Sequence, residues 1–160
     1  TDLSQLAGKD VAFAGKEAFI IYKVPYAHLQ SRKIDIKVVF AGNQDAAFAQ
    51  LFSGKAVAAG GNSQLVEGYA RRENKKFRVL WSSENFQDLA LMASAKVPEK
   101  DLAAVATAFV QMSKDPKGRD ILHQASQEVG LAQDAYFIAA SSADYAAYRR
   151  FFQSAPVSLH

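Results

Sequence analysis

The side chains able to do chemistry gather in small polar turns: Lys16 and Glu17, Asn43 and Gln44, Asn62 and Ser63, Ser82 and Ser83. Tyr22 follows shortly after the first pair. Neutral amides and hydroxyls dominate this set. They hydrogen-bond in both directions near neutral pH, which suits the grip on a polar solute. They do not suit bond breaking, which needs a nucleophile held against a base or a matched acid–base pair. Ser82-Ser83-Glu84 comes nearest to such a pair, but it forms no Gly-x-Ser-x-Gly elbow and no histidine lies near it in the sequence. His28, His123 and His160 are far apart, so none has a second histidine at metal-ligand spacing. Gly60-Gly61 belongs neither to a dinucleotide fingerprint nor to a phosphate loop with its lysine. These residues read as a binding surface, not an enzyme, with no metal and no cofactor.

Each turn needs an element to position it. Lys9 to Leu29 reads as strand, glycine turn and helix. Val11-Ala12-Phe13 is apolar on both faces, as a doubly covered strand must be. Gly15 permits the turn. Pro25 is tolerated only in a first helical turn, which places the helix start around Ile21 to Val24. Ile36 to Ala41 is a second strand. Asn43 then suits an N-cap, Asp45 a first turn, and Gly54 a helix end. Ala56 to Ala59 is a third, small-residue strand, followed by Gly60-Gly61-Asn62-Ser63 and a helix with Leu65, Val66 and Tyr69 on its apolar face. Phe77 to Trp81 reads as a fourth strand ending at Ser82-Ser83. This alternation predicts an α/β fold with a mostly parallel sheet flanked by helices. Right-handed crossovers bring all the polar turns to one edge, where α/β sheets bind ligands.

After Ser83 the pattern changes. Asp88 to Ala93 is another apolar, strand-like run. Val97-Pro98-Glu99 opens an amphipathic helix carrying Leu102, Val105, Phe109 and Val110. Asp115-Pro116-Lys117-Gly118 reads as a turn, a second helix follows to about Glu128, and Gly130 closes it. A third runs from Asp144 to Phe152, with an aromatic stripe that reads as core packing.

The 160 residues suffice for one domain, and 49% hydrophobic content is ordinary for a globular protein. The net charge is +3. Arg71, Arg72, Lys75 and Lys76 form the one dense basic cluster, broken by Glu73. It reads as a solvated helix end, with no nucleic acid as a partner. The absence of cysteine excludes disulfides and thiolate chemistry. No apolar run is long enough to span a bilayer. No secretory leader pattern is found, and Thr1 is not an initiator Met, so the chain reads as a processed protein or an excised piece.

Taken in order, these segments resemble the phosphonate-type periplasmic substrate-binding proteins of ABC transporters. Gly8-Lys9 with Val11-Ala12-Phe13, Tyr22 and Pro25 is similar to that family's crossover into its second lobe. Phe40, Gly42, Asp45-Ala46-Ala47 and Gly54 look like its second strand, turn and helix. Val97-Pro98-Glu99 and Asp115 to Gly118 look like its C-terminal helices, and Asp144-Tyr145 with Arg149 its closing segment. The resemblance implies a periplasmic-binding-protein-like lobe over 1–83. A return crossover and C-terminal helices follow over 84–160. It implies a periplasmic or extracytoplasmic location and non-covalent capture of a small-molecule ligand, with a membrane permease as partner. In the family a hydroxyl-rich segment at the first helix N-terminus grips the phosphonate; here Glu17, Ala18, Phe19 and Ile20 stand there. A family histidine is replaced by Gln44, and an acidic residue by Val57. Altered specificity is therefore expected. The family's N-terminal lobe has no counterpart here, so a partner lobe is expected from a missing segment or from a second copy in a homodimer. Two other readings use the same fold: a ligand-sensing domain of a signalling protein, and a degenerate lobe for protein–protein contact.

Overall fold

Side chains alternate across a strand, and β1 (Asp10–Phe13) uses this to serve two cores at once. In the computed structural model, which describes residues 2–131 and 133–160, Val11 and Phe13 face one side. There they meet Leu6, Leu29, Ile34, Ile36 and Ala58. Ala12 faces the other side with Ala47 and Ala56. Large side chains fill the first layer, while small ones let a helix approach closely on the second.

The helical backbone after β1 begins earlier than Pro25 suggests. A π-helical turn spans Phe19–Lys23 and runs into α1 (Val24–Ser31). Lys23 N–H donates to the Ala18 carbonyl at 3.1 Å, and the Val24 N–H to that of Phe19. Proline has no N–H to give the carbonyl four residues back, that of Ile21. The wider turn just ahead of Pro25 accommodates that gap. The expected start between Ile21 and Val24 is thus corrected to Phe19.

Strand β2 (Lys37–Phe40) follows α1, then α2 (Gln44–Phe52), β3 (Ala58–Ala59) and α3 (Ser63–Arg72). The sheet has three strands in the order β2-β1-β3. Both pairings are parallel, with Val11 opposite Val38 on one side and Ala58 on the other. The architecture is α/β, as the alternation of the sequence predicts. Asn43 Oδ1 accepts from the Ala46 N–H at 2.8 Å and caps α2. Gly54, at φ 77°, ends that helix in the left-handed region.

The expected fourth strand is not formed. Phe77 to Trp81 has no regular secondary structure. An apolar run signals burial, but a strand also needs a neighbouring ladder; Phe77 and Val79 stay exposed, and only the last two residues find partial cover another way. Leu80 packs onto the core that holds Val11 and Phe13, and Trp81 stacks on His28 of α1.

The chain divides into two compact units: the residues up to Phe86 together with Ala147–His160, and Gln87–Ala146. The first also holds most of α6 (Ala146–Ser154). The second contains α4 (Glu99–Gln111) and α5 (Pro116–Glu128). Asp115 is not a turn residue but the N-cap of α5, its Oδ2 accepting from the Gly118 N–H at 2.7 Å. An Asp-Pro pair serves a helix start as well as a turn. The strand-like run Asp88 to Ala93 is irregular, with Leu89 and Met92 well exposed. α4 buries none of its residues; Phe109 meets Phe137 edge-on at 4.8 Å, and Val105 is open to solvent.

Candidate functional site

In a sheet of order 2-1-3, the crossover from β1 leads to β2 and the next returns past β1 to β3, and open α/β sheets of this order bind ligands outside the carboxyl ends of β1 and β3. The turn after β1 holds Lys16 and Glu17; the turn after β3 holds Gly60, Gly61 and Asn62. The second is pressed hard against its surroundings. A Cβ on Gly60 would lie 2.1 Å from the Ile21 carbonyl oxygen, and one on Gly61 would lie 2.6 Å from the Phe48 ring. Only glycines allow the backbone to come this close.

Gln44 and Asn62 are brought together. Gln44 Oε1 accepts from the Asn62 N–H at 2.9 Å, tying the start of α2 to the start of α3. Asn62 Oδ1 in turn accepts from the Gln64 and Leu65 N–H groups at 2.9 and 3.3 Å and caps α3. The side-chain oxygens of Asn43, Gln44 and Asn62 are thus committed to fixing the turns. The amide NH2 groups of Gln44 and the two asparagines are donors on this edge, beside the Ser63 hydroxyl and the Lys16 ammonium. Ser63 is exposed at the first position of α3.

Charge on this edge is nearly balanced. Glu17 lies 3.6 Å from Lys23 Nζ and 4.0 Å from Lys16 Nζ. Lys23 is largely buried and also donates to the His160 carbonyl at 3.5 Å. The exposed Glu17–Lys16 pair contributes about 0–1 kcal/mol, so its consequence is electrostatic more than stabilising. Glu17 engages both lysines, which weakens what they could offer an incoming anion.

The remaining expected positions do other things. Tyr22 is half-buried in a ring cluster, edge-on to Phe13 at 5.1 Å and to Phe40 at 5.0 Å, and stacked on Tyr26 at 5.1 Å. Its burial raises the pKa of the phenol, so it stays protonated through the physiological range. Ser82 and Ser83 follow an irregular segment instead of a strand, and the Ser83 hydroxyl donates to the Glu84 carbonyl at 2.7 Å. Among the described residues, no group of acidic, histidine or cysteine side chains could hold a metal ion. A shallow hollow of about 460 Å³ lies along the C-terminal half of α3, lined by Glu67, Arg71, Lys75 and Lys76, away from the turns.

Sequence reasoning missed the role of Phe19. Its ring stacks on Tyr148 at 4.6 Å and meets Phe86, Phe151 and Phe152 at 4.8–5.5 Å. This cluster anchors α6 to the start of the helix after β1. Lys23 was missed as well, because its partner Glu17 is six positions away, outside helical pair spacing. The aromatics of α6 were the one available signal, since a stripe of rings must be covered by something.

No curated protein and no solved structure matches the chain. A family model does, that of the ABC transporter phosphonate periplasmic substrate-binding proteins, over residues 1–145. The match covers most of the chain and agrees with a parallel sheet flanked by helices. This protein therefore belongs to the phosphonate-type periplasmic substrate-binding protein family of ABC transporters.

Proposed function

We propose that this chain captures a small polar solute other than a phosphonate for an ABC importer, at the carboxyl edge of β1 and β3. The family supplies the coarse assignment: a substrate-binding component that serves a membrane permease and works outside the cytoplasm. Among the described residues no helix is long and apolar enough to cross a membrane. The altered specificity rests on one observation above all. Where the family presents hydroxyls, Ala18 and Ile20 present none, Phe19 is built into an aromatic cluster, and Glu17 stands in front of the helix start paired with two lysines. Attraction of an anion to an exposed helix N-terminus amounts to about 0.3–1 kcal/mol, and the two lysines at this place are already engaged by Glu17, so little is left there to grip an anion. The amides of Asn43, Gln44 and Asn62, with the hydroxyls of Ser63, Ser82 and Ser83, favour an uncharged or internally neutral solute. One edge covers a ligand on one side only, so tight capture calls for a second lobe that closes over it.

Calorimetric titration with methylphosphonate tests the specificity. No binding in the micromolar range is expected at neutral pH. Micromolar affinity would overturn the proposal.

A further inference from the structure

His28 and Trp81 form a pair that the binding reading does not use. Their ring centroids are 4.1 Å apart with the planes 16° from parallel. His28 lies in the last turn of α1. Trp81, the sole tryptophan of the chain, lies in the irregular segment that leads to Gln87, where the second unit begins. His28 Nε2 is closed off from solvent and has no hydrogen-bond partner. A neutral imidazole protonated on Nδ1 leaves only a lone pair in that position. A protonated imidazole puts an N–H donor and a positive charge there, with nothing to accept the proton.

The surroundings do not offset that cost. Arg32, which follows the end of α1, adds like charge. The core against α1 supplies apolar groups from other elements: Leu3 and Leu6, Val11 and Phe13, Ile36 and Val38, and Leu80, with Tyr22 and Tyr26 as the titratable side chains among them. In the segment of Trp81 the charged residues are Arg78, which is exposed, and Glu84, which is taken by Arg150 at 2.6 Å. The indole face attracts a cation, but it cannot accept the proton on a buried ring edge.

We propose that the His28–Trp81 stack is an acid-released latch: neutral His28 holds the segment Phe77 to Phe86 on α1, and protonated His28 lets it go. Burial first, and Arg32 second, lower the pKa of His28 below its ordinary 6.5. The sign follows from linkage. The unfolded or released form binds the proton more readily, so the latch is fully effective above pH 6.5 and weakens as pH falls below 6.5 and through the lowered value. The acid side of neutrality is where the segment that joins the two units comes free.

Two measurements on the full chain decide this. The His28 ring resonances, followed by NMR from pH 8 to 4.5, should titrate with a midpoint below 6.5. Trp81 emission should shift to longer wavelength over the same range, and exchange of the amides of residues 77–86, corrected for intrinsic pH dependence, should speed up several-fold. His28→Phe should keep the stack and abolish both pH responses. A midpoint at or above 6.5, or no change in emission and exchange across the His28 titration, would overturn the latch. Because the wild-type measurements stand alone, the test holds even if the variant fails to fold.

Discussion

Replacing Phe13 by alanine should lower the stability of the first unit by about 3–5 kcal/mol, the usual range for a buried phenylalanine. Phe13 is 1% exposed at the end of the central strand. Its ring meets Tyr22 edge-on and lies against the Gly60 backbone. The void would open where the core meets the carboxyl edge. Domains are stable by about 5–15 kcal/mol in total, so urea melts should show a transition at much lower denaturant, with an unchanged slope. A loss below about 1 kcal/mol would mean that β1 is not the centre of the fold.

Gly60→Ala should be the next most damaging change, by a different mechanism. The backbone of Gly60 is not in the left-handed region, so conformation is not the obstacle. The obstacle is space: the new Cβ would sit 2.1 Å from the Ile21 carbonyl and 2.6 Å from the Phe13 ring. A carbonyl in the π-helical turn cannot swing aside as a side chain can. Overpacking typically costs about 1–3 kcal/mol, sometimes more, and here it would also push the turn after β3 away from the helix after β1. Gly54→Ala is the control. It has open space but a φ of 77°, so it should lose roughly 1 kcal/mol, from backbone strain alone. Thermal melts of the two variants should rank Gly60→Ala well below Gly54→Ala; the reverse order would contradict the close approach of the two turns.

The parts of the fold that were legible in the sequence are those set by local chemistry. Val11-Ala12-Phe13 announces a strand covered on both faces, Asn43 and Asn62 announce helix caps, and Gly54 announces a helix end. α1 and α3 stop less visibly, because Lys33 at φ 58° and Asn74 at φ 49° take the left-handed position that glycine usually marks. Phe77 to Trp81 shows the limit of apolar pattern. Leu80 and Trp81 are partly covered while Phe77 and Val79 are exposed, because cover from a sheet depends on which ladder is free. The first helix shows a similar limit: Pro25 excludes an ordinary helix interior but does not exclude a π-helical turn before it.

The candidate site was legible as a set of turns and not as contacts. Helical spacing and strand order bring Asn43, Gln44, Asn62 and Ser63 to one edge. Nothing in the sequence says that Gln44 would bond the Asn62 backbone, that Lys23 would reach Glu17, or that Phe19 would carry the rings of α6. Those are meetings between distant residues, and each uses a group that could otherwise face a ligand.

The proposed ligand of this protein is a small polar solute without a phosphonate group. Native mass spectrometry of the protein purified from its own host tests it most directly. The spectrum should show a non-covalent adduct that is released by mild activation and proves on fragmentation to be an uncharged or zwitterionic solute with no phosphorus. A bound phosphonate, or protein that carries no solute at all, would contradict it.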